Sequence, residues 1–236
     1  MSLLERYATP LQVAMTVGLY VQIAILGGIA TAPGAYLALG VWERTTGWSP
    51  LARVLVGCCL GWGAYLSYAM CVVFVVGAFR VVTRAAAPLG TFPYYSFQAI
   101  RWASYNSLIL MVRYTCMNFI RVTPFLTLFH RFMGMRIGRR VQINTTVVSD
   151  SNLIEIGDDS IIGGDVTLVA HAAEHGRLVT ARVTIGNRVT VGLMSVIFPG
   201  VTIGDGAVVG ANAVVTKGTA IGAGEVWGGV PARRIR

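Results

Sequence analysis

The sequence predicts a molecule of two materials: a membrane α-helical N-terminal domain, residues 1–132, and an all-β parallel β-helix C-terminal domain, residues 133–236. Three observations carry that prediction. Two apolar runs, about residues 11–42 and 51–82, are each long enough to span a bilayer, which takes roughly 20 apolar residues. Between Ile185 and Trp227 an apolar residue recurs at every sixth position. The composition is 55% hydrophobic with only 12% charged residues, and the mean hydropathy is +0.65, the signature of a chain with a membrane part.

The first apolar run extends from Leu11 to Trp42, and Pro33 with Gly34 is expected to kink or break it. The second carries Arg53 as its one early charge. The N-terminus lacks the basic region of a signal peptide and the run is too long for one, so both runs are expected to be retained spans. Glu43 to Ser49 forms the short loop between them.

Charge then sets an expected orientation. From Arg44 to Ser149 there are eleven arginines and no Asp, Glu or Lys, within a chain of net charge +9. An excess of arginine marks the cytoplasmic side and favours anionic lipid headgroups. The expected partner of this stretch is the membrane lipid surface. Nucleic acid is not expected as a partner, because the basic residues are interleaved with Trp, Phe, Tyr, Leu and Ile.

Residues 93–132 read as interfacial helices. Tyr94, Tyr95, Phe97, Ile100, Trp102 and Tyr105 form an aromatic-rich stretch dotted with arginine. Ser107 to Leu128 is apolar but interrupted by Arg113, Arg121 and Pro124, which disfavours a third span. The favoured arrangement is helices lying in, or dipping into, the inner leaflet. Cys58, Cys59, Cys71 and Cys116 all fall in apolar helical stretches and read as packing residues, with neither disulfide nor metal spacing.

The repeat begins near Ile137 and Ile143 and becomes regular at Ile185, Val191, Ile197, Ile203, Val209, Val215, Ile221 and Trp227. A sustained period of six fits neither helix nor ordinary strand. It means one short β segment and one turn per repeat, stacked into a parallel β-helix with the apolar anchors inward. Glycine follows at 186, 192, 204, 210 and 222, which is expected to suit a tight backbone bend. The fourth position after an anchor is small or β-branched: Val189, Ser195, Val201, Ala207, Ala213, Thr219.

The period fails twice. From Leu168 to Ile185 the step is seventeen residues, and the intruding segment runs from His171 to Arg182. A second slip, Thr146 to Leu153, contains Asp150. Loops that interrupt a rigid repeat are where binding and catalytic groups collect.

The six-residue pattern resembles that of the left-handed β-helix hexapeptide-repeat acyltransferases, whose motif is an aliphatic residue, then Gly, Ala, Glu or Asp, then two variable positions, a small residue and a variable one. It stands here as Ile185–Thr190, Ile203–Val208 and Val209–Val214. The resemblance implies a left-handed helix with three repeats per coil, working as a homotrimer. Val166–His171, Val183–Arg188, Val196–Asp205, Val209–Lys217 and Gly229–Arg233 are similar to segments of the hexapeptide sugar O-acetyltransferases. That likeness implies His171 as the catalytic base. His175 reads as the rival base or a substrate contact, and Glu174 as an exposed loop carboxylate or, alternatively, one that orients an imidazole. It implies Asp150 and Asn144 as acceptor-binding residues. It implies acetyl-CoA, or another acyl-CoA, held by Ala211, Thr216, Lys217, Arg233 and Arg236. Thr190 and Leu193 depart from that pattern, where a large aromatic and a small polar residue stand, which leaves room for a different donor. No metal is implied: the three histidines lack the spacing of a β-helix carbonic anhydrase.

Pro88–Ser96, Arg101-Trp102 and Gly134–Gly138 resemble the membrane-plus-β-helix unit of poly-lysine-synthetase-type nonribosomal peptide synthetases. The expected function is a membrane-anchored acyltransferase of the bacterial cytoplasmic membrane, its β-helix facing the cytoplasm, acting on a hydroxyl or amine of a small-molecule or lipid-linked acceptor. The alternatives are an aminoacyl or peptide-bond-forming transferase with a non-CoA thioester donor, and a non-catalytic membrane scaffold.

Overall fold

The computed structural model describes residues 8–236. Helix α1 (Ala8–Glu43) and helix α2 (Pro50–Thr83) form an antiparallel hairpin. Ser49 caps α2, its Oγ accepting the Ala52 N–H, with Pro50 in the first turn where no N–H is needed. The expected break at Pro33 is absent: α1 continues through it. Gly34 beside it brings the two backbones together, because a Cβ there would lie 2.9 Å from the Ala64 carbonyl oxygen. Both helices are long and apolar enough to cross a membrane. They also turn large apolar side chains outward, among them Val17, Ile25, Leu37, Leu55 and Phe74.

After strand β1 (Gly90–Pro93), residues 97–132 form helix α3 (Phe97–Thr115), a single turn α4 (Met117–Ile120) and helix α5 (Pro124–Phe132). The sequence favours surface-lying helices here. Instead α3 buries Tyr105 to Ile109, Met111 and Val112 against α1, α2 and the end of the β-helix. Its polar groups find partners in the helical pair: Gln22 donates to Ser107 Oγ, and the Tyr65 and Tyr68 hydroxyls donate to Thr115. Of the aromatic stretch, Tyr105 is buried and Trp102 half-buried, whereas Tyr94, Tyr95 and Phe97 stay exposed.

Helix α5 closes the end of the β-helix with Leu126, Phe129 and His130. His130 is fully buried, its Nδ1 on Ser151 Oγ at 3.0 Å and its Nε2 without a partner. Burial pushes its pKa down to about 4. The unfolded chain binds that proton near pH 6.5. The neutral ring therefore contributes stability in full above that pH, and the contribution is lost as pH falls from about 6.5 to about 4, by up to about 3 kcal/mol. Thermal unfolding followed from pH 7 to 4.5 is expected to show this loss, and His130→Phe to flatten it relative to the unmodified protein.

The β-helix has three faces. One stacks β2 (Arg136–Ile137), β4 (Ile154–Ile156), β9 (Val183–Ile185), β12 (Thr202–Ile203) and β15 (Ala220–Ile221). The second stacks β3 (Gln142–Ile143), β5 (Ile161–Ile162), β10 (Thr190–Val191), β13 (Val208–Val209) and β16 (Val226–Gly228), with β17 (Arg233–Arg234) folded back antiparallel. The third holds β6 (Thr167–Leu168), β11 (Val196–Ile197) and β14 (Val214–Val215). The pairings are parallel and match anchor to anchor: Ile185 to Ile203 to Ile221, Val191 to Val209 to Trp227, Ile197 to Val215. The anchors from Ile185 to Ile221 are buried, as predicted.

The bend sits elsewhere than the sequence reading puts it. Positive φ falls on the third residue after each anchor, at Arg188, Met194, Gly200, Gly206, Asn212, Gly218 and Gly224. Gly192, immediately after its anchor, is needed for closeness: a Cβ there would stand 2.5 Å from the Ala211 amide nitrogen of the next coil.

Candidate active site

The interruption between Leu168 and Ile185 is a β-hairpin. Strand β7 (His171–Glu174) and strand β8 (Arg177–Thr180) pair antiparallel, joined by His175 and Gly176, both at positive φ (45° and 72°). Two left-handed residues make the tight turn whose twist matches a hairpin. The outer edge of β8 is covered by β1 from the N-terminal half, Gly90 opposite Thr180 and Pro93 opposite Arg177. The Thr180 hydroxyl adds a clamp, accepting the Gly90 N–H and donating to the Pro88 carbonyl. The division at residue 132 separates helices from coils, but β1 crosses it.

The slip at Thr146–Leu153 delivers Asp150. It stands at φ 56° ahead of a 3₁₀ turn, Ser151–Leu153, and is fully buried. Four donors meet its two oxygens. Oδ1 accepts Trp102 Nε1–H and Asn106 Nδ2–H, each at 2.8 Å. Oδ2 accepts the Ala170 N–H at 3.3 Å and pairs with His171 Nδ1 at 2.5 Å. Asn106 closes the loop by accepting the Asp150 N–H at 3.1 Å. A buried carboxylate needs such partners, since burying it without them costs several kcal/mol. The indole and the backbone amide can only donate, so both oxygens accept. The hydrogen-bond network therefore assigns the proton to His171 Nδ1 and leaves the Nε2 lone pair free. Trp102 sets its ring edge-on to the imidazole, centroids 4.9 Å apart, and a quarter of the His171 side chain reaches solvent.

Asp150, expected to touch the acceptor, has no exposed surface, and its oxygens are taken by protein donors, His171 Nδ1 among them. The Glu174 carboxylate holds Lys217 Nζ at 2.6 and 2.7 Å rather than an imidazole. His175 lies exposed at the hairpin tip, at the far end of β7 from His171, roughly 13 Å of strand away. Asn144 is engaged by Arg121, whose Nε donates to its side chain at 2.7 Å and which also pairs with Asp165 at 2.9 Å.

The expected CoA residues lie along the last coils. Ala211 and Thr216 are exposed, Thr216 sharing a hydrogen bond with Thr219, and Lys217 is tied to the hairpin. Arg233 is exposed on β17, and Arg236 closes the edge through its backbone, accepting the Val226 N–H. Among the described residues no cluster of three or more His, Cys, Asp or Glu could hold a metal ion. Sequence reasoning misses Asn106, a lone amide in an apolar stretch, and reads Trp102 only as an interfacial aromatic.

Hexapeptide coils interrupted by a histidine-bearing hairpin can be compared with known proteins. Residues 182–217 match the family described as hexapeptide repeat of succinyl-transferase. Delta-poly-L-ornithine synthetase of Acinetobacter baumannii is 28% identical over 147 residues, 62% of this chain and 10% of that protein. The Bacillus subtilis protein named "Putative acetyltransferase YvoF" is 33% identical over 87 residues, 34% of this chain and 51% of that protein. The chain thus spans about half or less of the length of these curated relatives. The maltose O-acetyltransferase of Clostridium difficile 630 superposes with a TM-score of 0.51 at 22% identity, covering 62% of this chain and 92% of that one, which shows the left-handed β-helix fold. Residues 182–217 of this chain thus carry the repeat that this family model describes.

Proposed function

We propose that this protein is a membrane-anchored acyltransferase. It moves an acyl group, acetyl in the simplest case, from a CoA thioester to a hydroxyl or amine of a membrane-linked or envelope-destined acceptor. The observation that carries the reading is the buried Asp150 holding His171 Nδ1, with Nε2 left free. Nε2 takes the acceptor's proton as its oxygen or nitrogen attacks the thioester carbonyl. The tetrahedral adduct collapses, the carbon–sulfur bond breaks, and the imidazolium returns the proton to the departing thiolate. No covalent enzyme intermediate is required.

Helices α1 and α2 serve as spans, with the β-helix on the arginine-rich, cytoplasmic side of a bacterial inner membrane. The working form is a homotrimer. Exposed Leu193 and Met194 support a subunit contact on the β-helix, since apolar side chains grouped on a surface mark such contacts. Lys217, Arg233 and Arg236 supply cations for the CoA phosphates.

Isothermal titration of the purified protein with CoA and acetyl-CoA tests the donor. Micromolar binding is expected, weakened about tenfold, or ~1.4 kcal/mol, in Lys217→Ala. Absence of binding by folded protein would sink the CoA reading. An aminoacyl transferase with another thioester donor is the second reading. It is supported by the poly-ornithine synthetase match, which at 147 residues is longer than the β-helix and so extends into the helices.

A further inference from the structure

A cavity of about 300 Å³ opens beside the His171 hairpin, between the start of α1 and the first turns of α3. Gln12 and Met15 line it from α1, Tyr95 from the β1–α3 turn, and Ile100, Trp102 and Ala103 from α3. Trp102 belongs to both places: one part of the ring lines the cavity, while its Nε1 holds Asp150 and its edge meets His171. Trp102 thus joins the cavity to the Asp150–His171 pair.

Its depth follows from topology. The α1–α2 hairpin is antiparallel, so the start of α1 lies at the same end as the close of α2, from which the chain passes directly to β1 and the hairpin. That is the end where the helical pair meets the β-helix. Tyrosine and tryptophan around the cavity are the residues that settle at a membrane–water boundary. No Asp, Glu, Lys or Arg lines it, and the wall is mostly apolar. A free sugar or a phosphate would leave some of its polar groups unpaired against that wall. A hydrocarbon chain would not.

We propose that this cavity takes the hydrocarbon chain of the acceptor. The acceptor is then an amphiphile that enters from the leaflet beside the β-helix and presents its hydroxyl or amine head to His171, with Trp102 as the wall between chain site and base. This rests on the acyl-transfer reading of His171, and it narrows the acceptor class.

The test is photo-crosslinking in phosphatidylcholine nanodiscs with a diazirine-bearing hexadecanol, mapped by peptide mass spectrometry. Crosslinks are expected at Met15, Tyr95, Ile100 and Ala103. They should fall at least about tenfold in Ala103→Trp, whose indole would fill the space, and stay unchanged in His171→Ala. Ile100→Trp repeats the test should Ala103→Trp fail to fold. Crosslinks confined to outward residues such as Val17 and Phe74, or cavity crosslinks that persist in the filled variants, would overturn the proposal. The assay needs neither CoA nor turnover, so the two readings fail separately. Cavity labelling without CoA binding removes the transferase and keeps the chain site; CoA binding without cavity labelling does the reverse.

Discussion

Replacing His171 with alanine is expected to lower acyl transfer by about 10²–10⁴-fold, the usual contribution of a positioned general base. CoA affinity and membrane insertion should be unchanged. The side chain lies at the base of the hairpin and is partly exposed, so its removal leaves no large cavity. The partners of Asp150 change by one: Trp102, Asn106 and Ala170 still donate to it. Turnover is read as free CoA released from acetyl-CoA in the presence of acceptor, and assembly as the elution volume in detergent. Transfer at the unmodified rate in a correctly assembled variant would remove His171 from the chemistry.

Asp150→Asn is expected to cost nearly as much although it changes one atom. The amide must place its oxygen and its NH2 where two acceptors now sit. With the oxygen kept on Trp102 and Asn106, the NH2 faces the Ala170 N–H and His171 Nδ1. Donor then meets donor at Ala170. At His171 the amide donates to Nδ1, so the ring carries its proton on Nε2 and cannot accept one there. In serine proteases the corresponding Asp-to-Asn change, which likewise forces the wrong tautomer, lowers kcat by about 10⁴, and a loss of about 10³–10⁴ is expected here. The distinguishing readout is the pH profile: a base held in the wrong tautomer loses kcat with little change in KM. An unchanged profile at full rate would mean that Asp150 is structural only.

The setting of the Asp150–His171 pair therefore depends on the N-terminal half, which supplies two of the four donors to Asp150 through α3 and edges the hairpin through β1. A β-helix cut free at residue 133 would lose both. On the proposed reading the helical part does more than anchor, since it also walls the site.

The six-residue period was legible because each repeat buries its own anchor against the coil beside it, so the register is written locally, from Ile185 to Ile221, with little help from distant residues. The two interruptions were legible for the same reason, since departure from a strict period is visible in one dimension. The larger one contains His171, whose expected role as base comes from the family resemblance. The length and apolarity of α1 and α2 were equally local. At Pro33 the sequence allows a kink or a break, and the structure shows no break: the helix continues through it.

Amino-acid order alone thus determined the repeat, its anchors, the place of its breaks and the histidine in the larger one, all properties of neighbours along the chain. Tertiary structure alone decided what each polar group faces. Asp150 came to face Trp102, Asn106 and His171 because α3 brings the first two onto it from more than forty residues away. Glu174 turned to Lys217 because the hairpin folds back over a later coil. Hydrogen bonds are decided by distance and direction in space, and a break in a period says where a loop begins but not which way it turns.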